Sequence, residues 1–421
     1  MASNTTEPQE VDTCKQIIKD QMLATIYGQC VGDALGLLTE FMTKDEAKEC
    51  YGKKPKMLLY SQKVPDFHRA RWKDGDWTDD TDQMILILHS ILFNRGQVVA
   101  TDYAARIYRW MKTGFPDLGD LGGMGLGRTT ATVLRHPDFK TKPHDCAYEV
   151  WDRSQRNVAP NGAVMRTSLL GLHQWQDLEA VVKNTLEICK CTHHDPRCQA
   201  SAVAVSVAVA LMLQHTSKEK NSGRKSARPV DVTDVIKQAY DFASKVLTKE
   251  EEKKDLWWYM NCTKLKELQL CEAAKIGYTY KCMGAGFWAL KQKDFQKAMI
   301  KVVMAAGDAD TNGAVAGALL GCKLGLTAIP QPWKDDLVNK DWLMSYVNRF
   351  FKLQSEMSLP FDQRSSSDDL DIAKLLAEDK ERDEKREEEH KRQYEERLKA
   401  QEKEDLSFLP VLSSAHELPQ D

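Results

Sequence analysis

The sequence predicts an all-α protein, a compact fold of many helices in a single domain. Apolar residues recur with the 3.6-residue period of amphipathic helices. No set of segments shows the two-residue alternation of half-buried strands, and no repeat of 30–45 residues marks a solenoid. The 421 residues, of which 42% are hydrophobic, suffice for one large core. The predicted helices cover 14–38, 83–94, 103–113, 178–190, 200–214, 232–248 and 313–324.

Composition divides the chain into three regions. Residues 1–13 form a polar leader that we expect to be disordered, and residues 14–361 form the globular domain. Residues 362–421 form a highly charged tail, helical or disordered, in which 22 of the 28 residues from Glu378 to Asp405 are charged. Within the globular domain, the basic stretch 215–229 predicts a mobile surface loop.

Charge and cysteine content exclude several classes of protein. A formal net charge of −3 gives no general attraction to nucleic acid or to acidic membranes. The N-terminus lacks the features of a signal peptide, and no apolar run is long enough to span a membrane. An odd count of 11 scattered cysteines favours reduced thiols. We therefore expect a monomer in the cytoplasm, or alternatively in the nucleus, that binds neither nucleic acid nor membranes.

Two acidic segments, 75–82 and 307–312, each precede an apolar helix and carry more carboxylates and hydroxyls than capping needs. One helix cap uses one such residue, and closely packed carboxylates repel one another unless a cation lies between them. Oxygen ligands without Cys or His select a hard ion, Mg²⁺ or Mn²⁺. Helix capping alone is the alternative. The candidate metal ligands in these segments are Thr78, Asp79, Asp80, Asp308, Asp310 and Thr311.

Two predicted helices each carry three glycines at four-residue spacing, which places each trio on one helix face. A glycine inside a helix costs about 1 kcal/mol relative to alanine. We therefore predict that each glycine face allows close backbone contact with a neighbouring helix. The two trios are Gly28, Gly32 and Gly36, and Gly313, Gly317 and Gly321.

Two acids, Asp33 and Glu40, lie near the end of the first predicted helix. Their seven-residue spacing places them on one face if the helix continues that far. Acids on an otherwise apolar helix are rarely buried without a partner. We predict that Asp33 is a hydrogen-bonded structural acid and that Glu40 is a candidate catalytic carboxylate.

Three loops contain residues suited to ligand binding. The glycine-rich segment 122–130 can hold a phosphate with backbone N–H groups, although it matches neither a P-loop nor a Rossmann fingerprint. Segment 160–166 is a turn before an apolar helix. The adjacent histidines of segment 191–198 match no common zinc spacing. A histidine that contacts ligand phosphate or ribose is favoured there.

The segments 32–36 with Glu40, 78–81, 161–166 and 307–311 resemble, in this order, the motifs of the ADP-ribosylglycohydrolase family. The resemblance covers roughly residues 20–335 and makes 14–361 the catalytic domain. It implies the family's compact all-α fold with a binuclear magnesium centre. The implied activity is magnesium-dependent hydrolysis of the glycosidic bond between ADP-ribose and a protein side chain. The implied partner is an ADP-ribosylated protein or an ADP-ribose derivative.

The resemblance also implies roles for individual residues. The acidic candidates above become ligands of two Mg²⁺ ions, and Glu40 and Asp310 become the candidate catalytic residues. The segment 156–160 lacks the aromatic residue that stacks on adenine in some relatives. The residues that correspond to the ADP-ribose-binding loops are Gly125, Gly127, Asn161, Gly162 and His193.

Two other functions remain open from the sequence. One is hydrolysis of a free ADP-ribose derivative such as an acetyl ester. The other is a non-catalytic role, as a crystallin-like or binding protein with the same fold. The intact set of metal ligands favours an enzyme.

Overall fold

The structure, a computed structural model, describes residues 7–221 and 228–367 and isolated helical positions between 374 and 392. The described α-helices are α1 (Glu7–Gly36), α2 (Lys44–Tyr51), α3 (Asp79–Phe93), α4 (Ala100–Thr113), α5 (Arg128–Leu134), α6 (Pro143–Arg153), α7 (Leu178–Cys189), α8 (Pro196–Asn221), α9 (Val232–Ala243), α10 (Glu250–Asn261), α11 (Thr279–Leu290), α12 (Phe295–Val303), α13 (Ala309–Leu324), α14 (Gln331–Asp335) and α15 (Lys340–Glu356). Short 3₁₀ turns join several of them.

The all-α prediction is confirmed. Within residues 7–221 and 228–367, extended backbone pairs only in two isolated bridges, Glu40 with Gly307 and Pro160 with Tyr278. Several helices begin at the caps that the sequence offers, such as Asp177 for α7 and Asp231 for α9, whose carboxylates accept backbone N–H groups.

The glycine faces of α1 and α13 pack against each other, which confirms the predicted close contact with a neighbouring helix and identifies that neighbour. A Cβ atom built on Gly28 would lie 2.1 Å from the carbonyl oxygen of Gly317, and one built on Gly32 would lie 2.0 Å from that of Gly313. No larger residue fits such an approach, so the two backbones are in direct contact. This contact brings the C-terminal end of α1 beside the N-terminal end of α13.

Helix α8 runs through the core. By length and composition it could cross a membrane, but 89% of its apolar window is buried inside the fold. Its residues from Ala200 to Leu213 are buried and contact the helices around it. The predicted helix 200–214 is therefore the central part of a longer core helix.

Some predicted boundaries were wrong. The first helix was predicted at 14–38, but α1 begins at Glu7 and ends at Gly36. Leader residues 1–6 lie outside the described part. The stretch 215–229 was predicted to be a loop, yet α8 continues to Asn221. Residues 222–227 lie outside the described residues.

Residue contacts divide the chain into one unit that ends at Leu370 and a second from Asp371 to Asp421. Within the first unit, Ser365 bonds to Glu356, and the hydroxyl of Ser366 donates to the carbonyl of Phe93. In the second unit, Lys385 lies 2.7 Å from Glu381 and forms an i,i+4 ion pair. Most of the tail lies outside the described residues, so the division at Phe361 stays a prediction.

Candidate active site

The two acidic segments meet at the N-terminal ends of α3 and α13. Thr78 is the N-cap residue of α3, and Asp308 is that of α13. Neither side chain bonds to its own helix as a cap. The carboxylates and hydroxyls are thus directed toward each other across the junction, which capping alone does not explain.

Asp33 fixes this junction from α1. Its Oδ1 accepts hydrogen bonds from the backbone N–H and the hydroxyl of Thr78, at 3.0 and 2.9 Å. Its Oδ2 accepts the same pair of bonds from Thr81, at 3.0 and 2.6 Å. Four bonds occupy the acceptor sites of one carboxylate. Asp33 is therefore a hydrogen-bonded structural acid, as the sequence predicted.

Two groups of acids lie close enough to hold metal ions. In one group, carboxylate oxygens of Asp33, Asp80 and Asp310 lie within 4.8 Å of one another. Because Asp33 is already saturated by donors, Asp80 and Asp310 supply the unpartnered oxygens of this group. In the other, oxygens of Glu40, Asp308 and Asp310 do so. Because Asp310 belongs to both groups, the two groups adjoin and share one carboxylate.

The residues at this position fit a bound cation. Oδ1 of Asp80 and Oδ1 of Asp310 are buried and have no hydrogen-bond partner. A buried carboxylate oxygen left unpaired costs free energy, and a cation compensates for that cost. The neighbouring hydroxyls of Thr78 and Thr311 each lie 3.3 Å from Oδ2 of Asp80, so the donor set consists of oxygen atoms.

The protonation of these acids reflects burial and mutual repulsion. Burial raises the pKa of Asp33 to about 7. Burial, and then the negative charge of neighbouring carboxylates, raises the pKa values of Asp79, Asp80 and Asp310 well above the ordinary range. The acid cluster therefore resists carrying full negative charge by itself, and a divalent cation would relieve the repulsion.

The cluster forms the floor of a cleft of about 190 Å³. Most of the site residues named from the sequence line this cleft. They are Glu40, Asp79, Asp80, Gly125, Gly127, Asn161, Gly162, His193, Asp308, Asp310 and Thr311. Thr78 lies behind Asp80 and contributes its hydroxyl from within the fold.

Glu40 does not share a helix with Asp33, because α1 ends at Gly36. Instead, a bridge to Gly307 holds the chain at Glu40, with the N–H of Phe41 donating to the carbonyl of Gly307 at 2.6 Å. The guanidinium of Arg69 donates to the last carbonyls of this turn, including that of Glu40. Segment 307–311 is thereby tied directly to Glu40.

The carboxylate of Glu40 has a partner that the sequence did not indicate. Nε2 of His68 lies 2.6 Å from Oε2 of Glu40. On the other side of the ring, the guanidinium of Arg71 lies 2.6 Å from Nδ1 of His68. Because a guanidinium can only donate, Nδ1 accepts and Nε2 carries the hydrogen that is donated to Glu40. His68 lies 28 positions from Glu40, and no local pattern connects them.

Asn161 and the glycine-rich loop close the other sides of the cleft. The side-chain amide of Asn161 donates to Oδ2 of Asp308 at 2.8 Å, and its backbone N–H donates to Gly277. A Cβ at Gly125, where φ is +88°, would lie 2.4 Å from Oδ1 of Asp79. Only glycine permits this close approach of the loop to the acid cluster.

A second, larger groove of about 820 Å³ lies beside the cleft, and Pro160 lines both. Its wall includes the aromatic residues Trp258 and Tyr278 and the basic residues Arg197 and Lys275. No sequence motif indicates this groove, whose residues come from four distant segments.

Comparison with known proteins identifies the family of this chain. The profile described as ADP-ribosylglycohydrolase matches residues 15–359. The chain belongs to the ADP-ribosylglycohydrolase family. Membership makes the protein a hydrolase, and it confirms the resemblance drawn from the sequence motifs.

Several relatives of this ADP-ribosylglycohydrolase carry informative names. The ADP-ribosyl-[dinitrogen reductase] glycohydrolase of Rhodospirillum rubrum is 28% identical and covers 76% of this chain and 91% of its own. The ADP-ribosylarginine hydrolase Tri1 of Serratia proteamaculans is 22% identical, with 80% of each chain covered. A solved structure titled "ADP-ribosylglycohydrolase-related protein complex" superposes with a TM-score of 0.57 at 22% identity, covering 80% of this chain and 99% of the other. That likeness confirms the fold.

Proposed function

We propose that this ADP-ribosylglycohydrolase uses two Mg²⁺ ions, replaceable by Mn²⁺, to hydrolyse the bond between ADP-ribose and a protein side chain. The supporting observation is the pair of acid groups that share Asp310, with unpartnered oxygens on Asp80 and Asp310. A purely structural acid is saturated by donors, as Asp33 is. Oxygen donors select hard cations over zinc.

The chemistry follows from what faces the cleft. Bound divalent cations would supply Lewis-acid polarisation and a template for ribose hydroxyls and water. Asp79, Asp80, Asp308 and Asp310 would hold them together with the threonine hydroxyls. Glycoside cleavage passes through an oxocarbenium-like transition state, whose positive charge this acidic floor stabilises.

Glu40 is placed to act as the general base. In the proposed step, Glu40 takes one proton from water while the water oxygen bonds to the anomeric carbon. The bond from that carbon to the protein side chain breaks, and its electron pair goes to the departing nitrogen or oxygen. The proton held by Glu40 is then available to the departing atom, so no external acid is consumed. Such proton transfer typically contributes about 10²–10⁴-fold.

The substrate is proposed to extend beyond the cleft. A volume of about 190 Å³ is below the roughly 300–1,000 Å³ typical of pockets for larger ligands. The groove past Pro160 offers the additional space, with aromatic and basic residues suited to a nucleotide. Relatives are named for ADP-ribosylarginine and for ADP-ribosylated dinitrogen reductase. We therefore propose an ADP-ribosylated protein as substrate, with arginine as the first linkage to test.

The cellular setting is also a proposal. The described cysteines are all free, and most of them are buried. Free thiols are typical of reducing compartments, which supports a cytoplasmic or nuclear location. A monomer that binds neither nucleic acid nor membranes remains the expected state.

One experiment tests the proposal. Purified protein is treated with EDTA, and ADP-ribose release is measured from arginine-linked, serine-linked and acetyl-ester substrates as Mg²⁺, Mn²⁺ or Zn²⁺ is restored. We expect turnover with Mg²⁺ and Mn²⁺. Changing a residue that only supports a ligand costs about 10–100-fold, so Asp310→Asn should cost at least about 100-fold.

Asp82→Asn is the matched control. Asp82 is a buried acid of the same segment, but its oxygens accept from the indoles of Trp77 and Trp110 rather than facing the cleft. It should lower stability and leave the metal dependence unchanged. Full turnover of Asp310→Asn in excess EDTA would refute the metal mechanism. Release from the acetyl ester alone would favour a free derivative as substrate, and no release from any substrate would favour a non-catalytic protein.

A further inference from the structure

A chain of buried polar side chains connects Asp79 of the acid cluster to His193, which also lines the cleft. Gln83 donates to Oδ2 of Asp79 at 2.7 Å, and Arg166 donates to Oε1 of Gln83 at 2.7 Å. The other terminal nitrogen of Arg166 donates to the hydroxyl of Thr192 at 2.6 Å. That hydroxyl lies 2.8 Å from Nδ1 of His193.

Arg166 is an unusual residue to find at the centre of this chain. It is fully buried, and both side chains that its guanidinium bonds are neutral. Its Nε has no hydrogen-bond partner, and its guanidinium lies over the ring of Tyr103 at 5.3 Å. A buried cation without an ion pair is costly. Stability alone therefore gives no reason for an arginine at this position.

The guanidinium determines the direction of the hydrogen bonds that run from Arg166 through Gln83 to Asp79. Arginine has donors only, so Gln83 must present its carbonyl oxygen to Arg166 and its NH₂ group to Asp79. Oδ2 of Asp79 is then occupied, while Oδ1 lies beside Gly125 at the cleft. The chain thus leaves one defined oxygen of Asp79 for a metal ion.

The same reasoning applies on the side of His193. Because the oxygen of Thr192 accepts from Arg166, its hydroxyl hydrogen is free to go to Nδ1 of His193. Nδ1 is then an acceptor, and the neutral ring carries its hydrogen on Nε2. A Cβ at Gly162 would lie 3.0 Å from this Nε2, so the N–H lies at the cleft wall.

Burial, and then the charge of Arg166, lowers the pKa of His193 well below its usual range. The ring is therefore neutral at ordinary pH. A neutral imidazole with a fixed tautomer is a directed hydrogen-bond donor.

We propose that Arg166 is a positioning residue that fixes the direction of the hydrogen bonds at Asp79 and at His193, and thereby the proton arrangement at both residues. Through Gln83 it leaves Oδ1 of Asp79 free for the metal. Through Thr192 it makes Nε2–H of His193 a donor to an oxygen atom of the ADP-ribose substrate. The assignments of the metal ion and of ADP-ribose rest on the proposed function, whereas the proton arrangement does not.

Single variants test separately the hydrogen bonds that lead to His193 and those that lead to Asp79. Thr192→Val removes the hydroxyl with little change in shape, and Thr192→Ser restores it. Gln83→Met removes the donor to Asp79. Arg106→Met is the matched control, because Arg106 is also buried but pairs with Asp102 away from the cleft.

Affinities for Mg²⁺ and for ADP-ribose at saturating Mg²⁺ are measured by calorimetry. Loss of a supporting hydrogen bond typically costs about 10–100-fold. Thr192→Val should lose ADP-ribose affinity by this factor with Mg²⁺ affinity unchanged, and Thr192→Ser should recover. Gln83→Met should lose Mg²⁺ affinity. Arg166→Met should lose both, and Arg106→Met should only lower the melting temperature.

The tautomer is read directly by ¹H–¹⁵N correlation on ¹⁵N-histidine-labelled protein. We expect Nε2–H for His193 in the wild type and loss of this fixed tautomer in Thr192→Val. An Nδ1–H ring in the wild type, or variants of Thr192 and Gln83 with wild-type affinities, would overturn the proposal. If Arg166→Met does not fold, the variants of Thr192 and Gln83 still test the proposal. Wild-type protein that binds no ADP-ribose would refute the proposed function, while the tautomer and the Mg²⁺ affinity of Gln83→Met would still test Arg166.

Discussion

Replacing Gly317 by alanine tests whether the helix contact that carries the site tolerates any side chain. The new Cβ would lie 1.9 Å from the carbonyl oxygen of Gly28 and 2.7 Å from its carbon. Contacts below 3.0 Å essentially never occur for real Cβ atoms. Because both obstacles are backbone, α1 and α13 must separate by roughly 1 Å, in an interior that compresses poorly.

Two opposing contributions determine how much Gly317→Ala changes the free energy of unfolding. Alanine is favoured over glycine within a helix by about 1 kcal/mol. Overpacking a close contact costs about 1–3 kcal/mol, and occasionally more. Since neither backbone can rotate away, we expect an overpacking cost of about 3 kcal/mol or more. After subtraction of the helix preference for alanine, the net loss in the free energy of unfolding is about 2 kcal/mol. An unfolding entropy of about 2.1 cal/mol/K per residue gives roughly 0.7 kcal/mol/K for residues 14–361, so the melting temperature should fall by about 3 °C.

The assay measures stability and metal affinity together. Gly317 and Asp310 lie on the same helix, seven residues or about 10 Å apart, so displacing α13 moves Asp310 relative to Asp33 on α1. Mg²⁺ affinity should therefore fall with the melting temperature. Gly313→Ala, closer to Asp310 and 2.2 Å from the carbonyl oxygen of Gly32, should weaken Mg²⁺ binding further.

Gly122→Ala provides the control for glycine replacement itself. Its new Cβ would have no neighbour closer than 3.6 Å, and we expect neither property to change. If Gly317→Ala melts at the wild-type temperature and binds Mg²⁺ normally, the backbone contact does not constrain the site. If Gly122→Ala is equally destabilised, loss of glycine rather than close packing is responsible.

Three further predictions concern other parts of the molecule. His68→Ala should lower kcat about 10–100-fold with KM little changed, because it removes the donor that orients Glu40. His68→Gln, which keeps an N–H donor, should recover part of the rate. Burial lowers the pKa of His173 to about 4. Below the ordinary histidine pKa of about 6.5 the unfolded chain binds a proton that the folded protein does not, so the free energy of unfolding falls by up to about 3 kcal/mol as pH drops toward 4. Urea unfolding of His173→Gln should show a correspondingly smaller loss of stability between pH 7 and 4.5. Truncation after Leu370 should leave the melting temperature and turnover of the enzyme unchanged, since no candidate ligand lies in the tail, and a large loss of either would show that the tail contributes to the catalytic domain.

The fold class and the acid cluster could be predicted because their signals are local. A 3.6-residue period and glycines four residues apart are properties of single helices, and each acidic motif lies within one short segment. The cost of glycine in a helix also predicted that each glycine face contacts a neighbouring helix, although it did not predict that α1 and α13 contact each other. The boundaries were less well predicted, since the polar ends of α8 carry no apolar period.

The supporting contacts could not be predicted, because they join distant segments. His68 reaches Glu40 across 28 positions, and Arg166 reaches Gln83 across 83. Of His68 and Arg166, only Arg166 has a recognisable signal in the sequence. It is a lone cation within an apolar stretch, and such a residue is rarely buried without partners. That signal indicates that partners exist but does not identify them.

The proposed cation-binding floor of the cleft is held together by interactions that do not involve a metal ion. Asp33 is saturated by four donors from Thr78 and Thr81, and the glycine contact fixes α1 against α13 over several turns. These interactions keep Asp80 and Asp310 close together despite the repulsion that raises their pKa values. A site built in this way is organised before the ion arrives, so binding does not have to fold the site. Metal removal should therefore abolish activity while leaving the helical fold intact, in contrast to small domains whose folding depends on their metal.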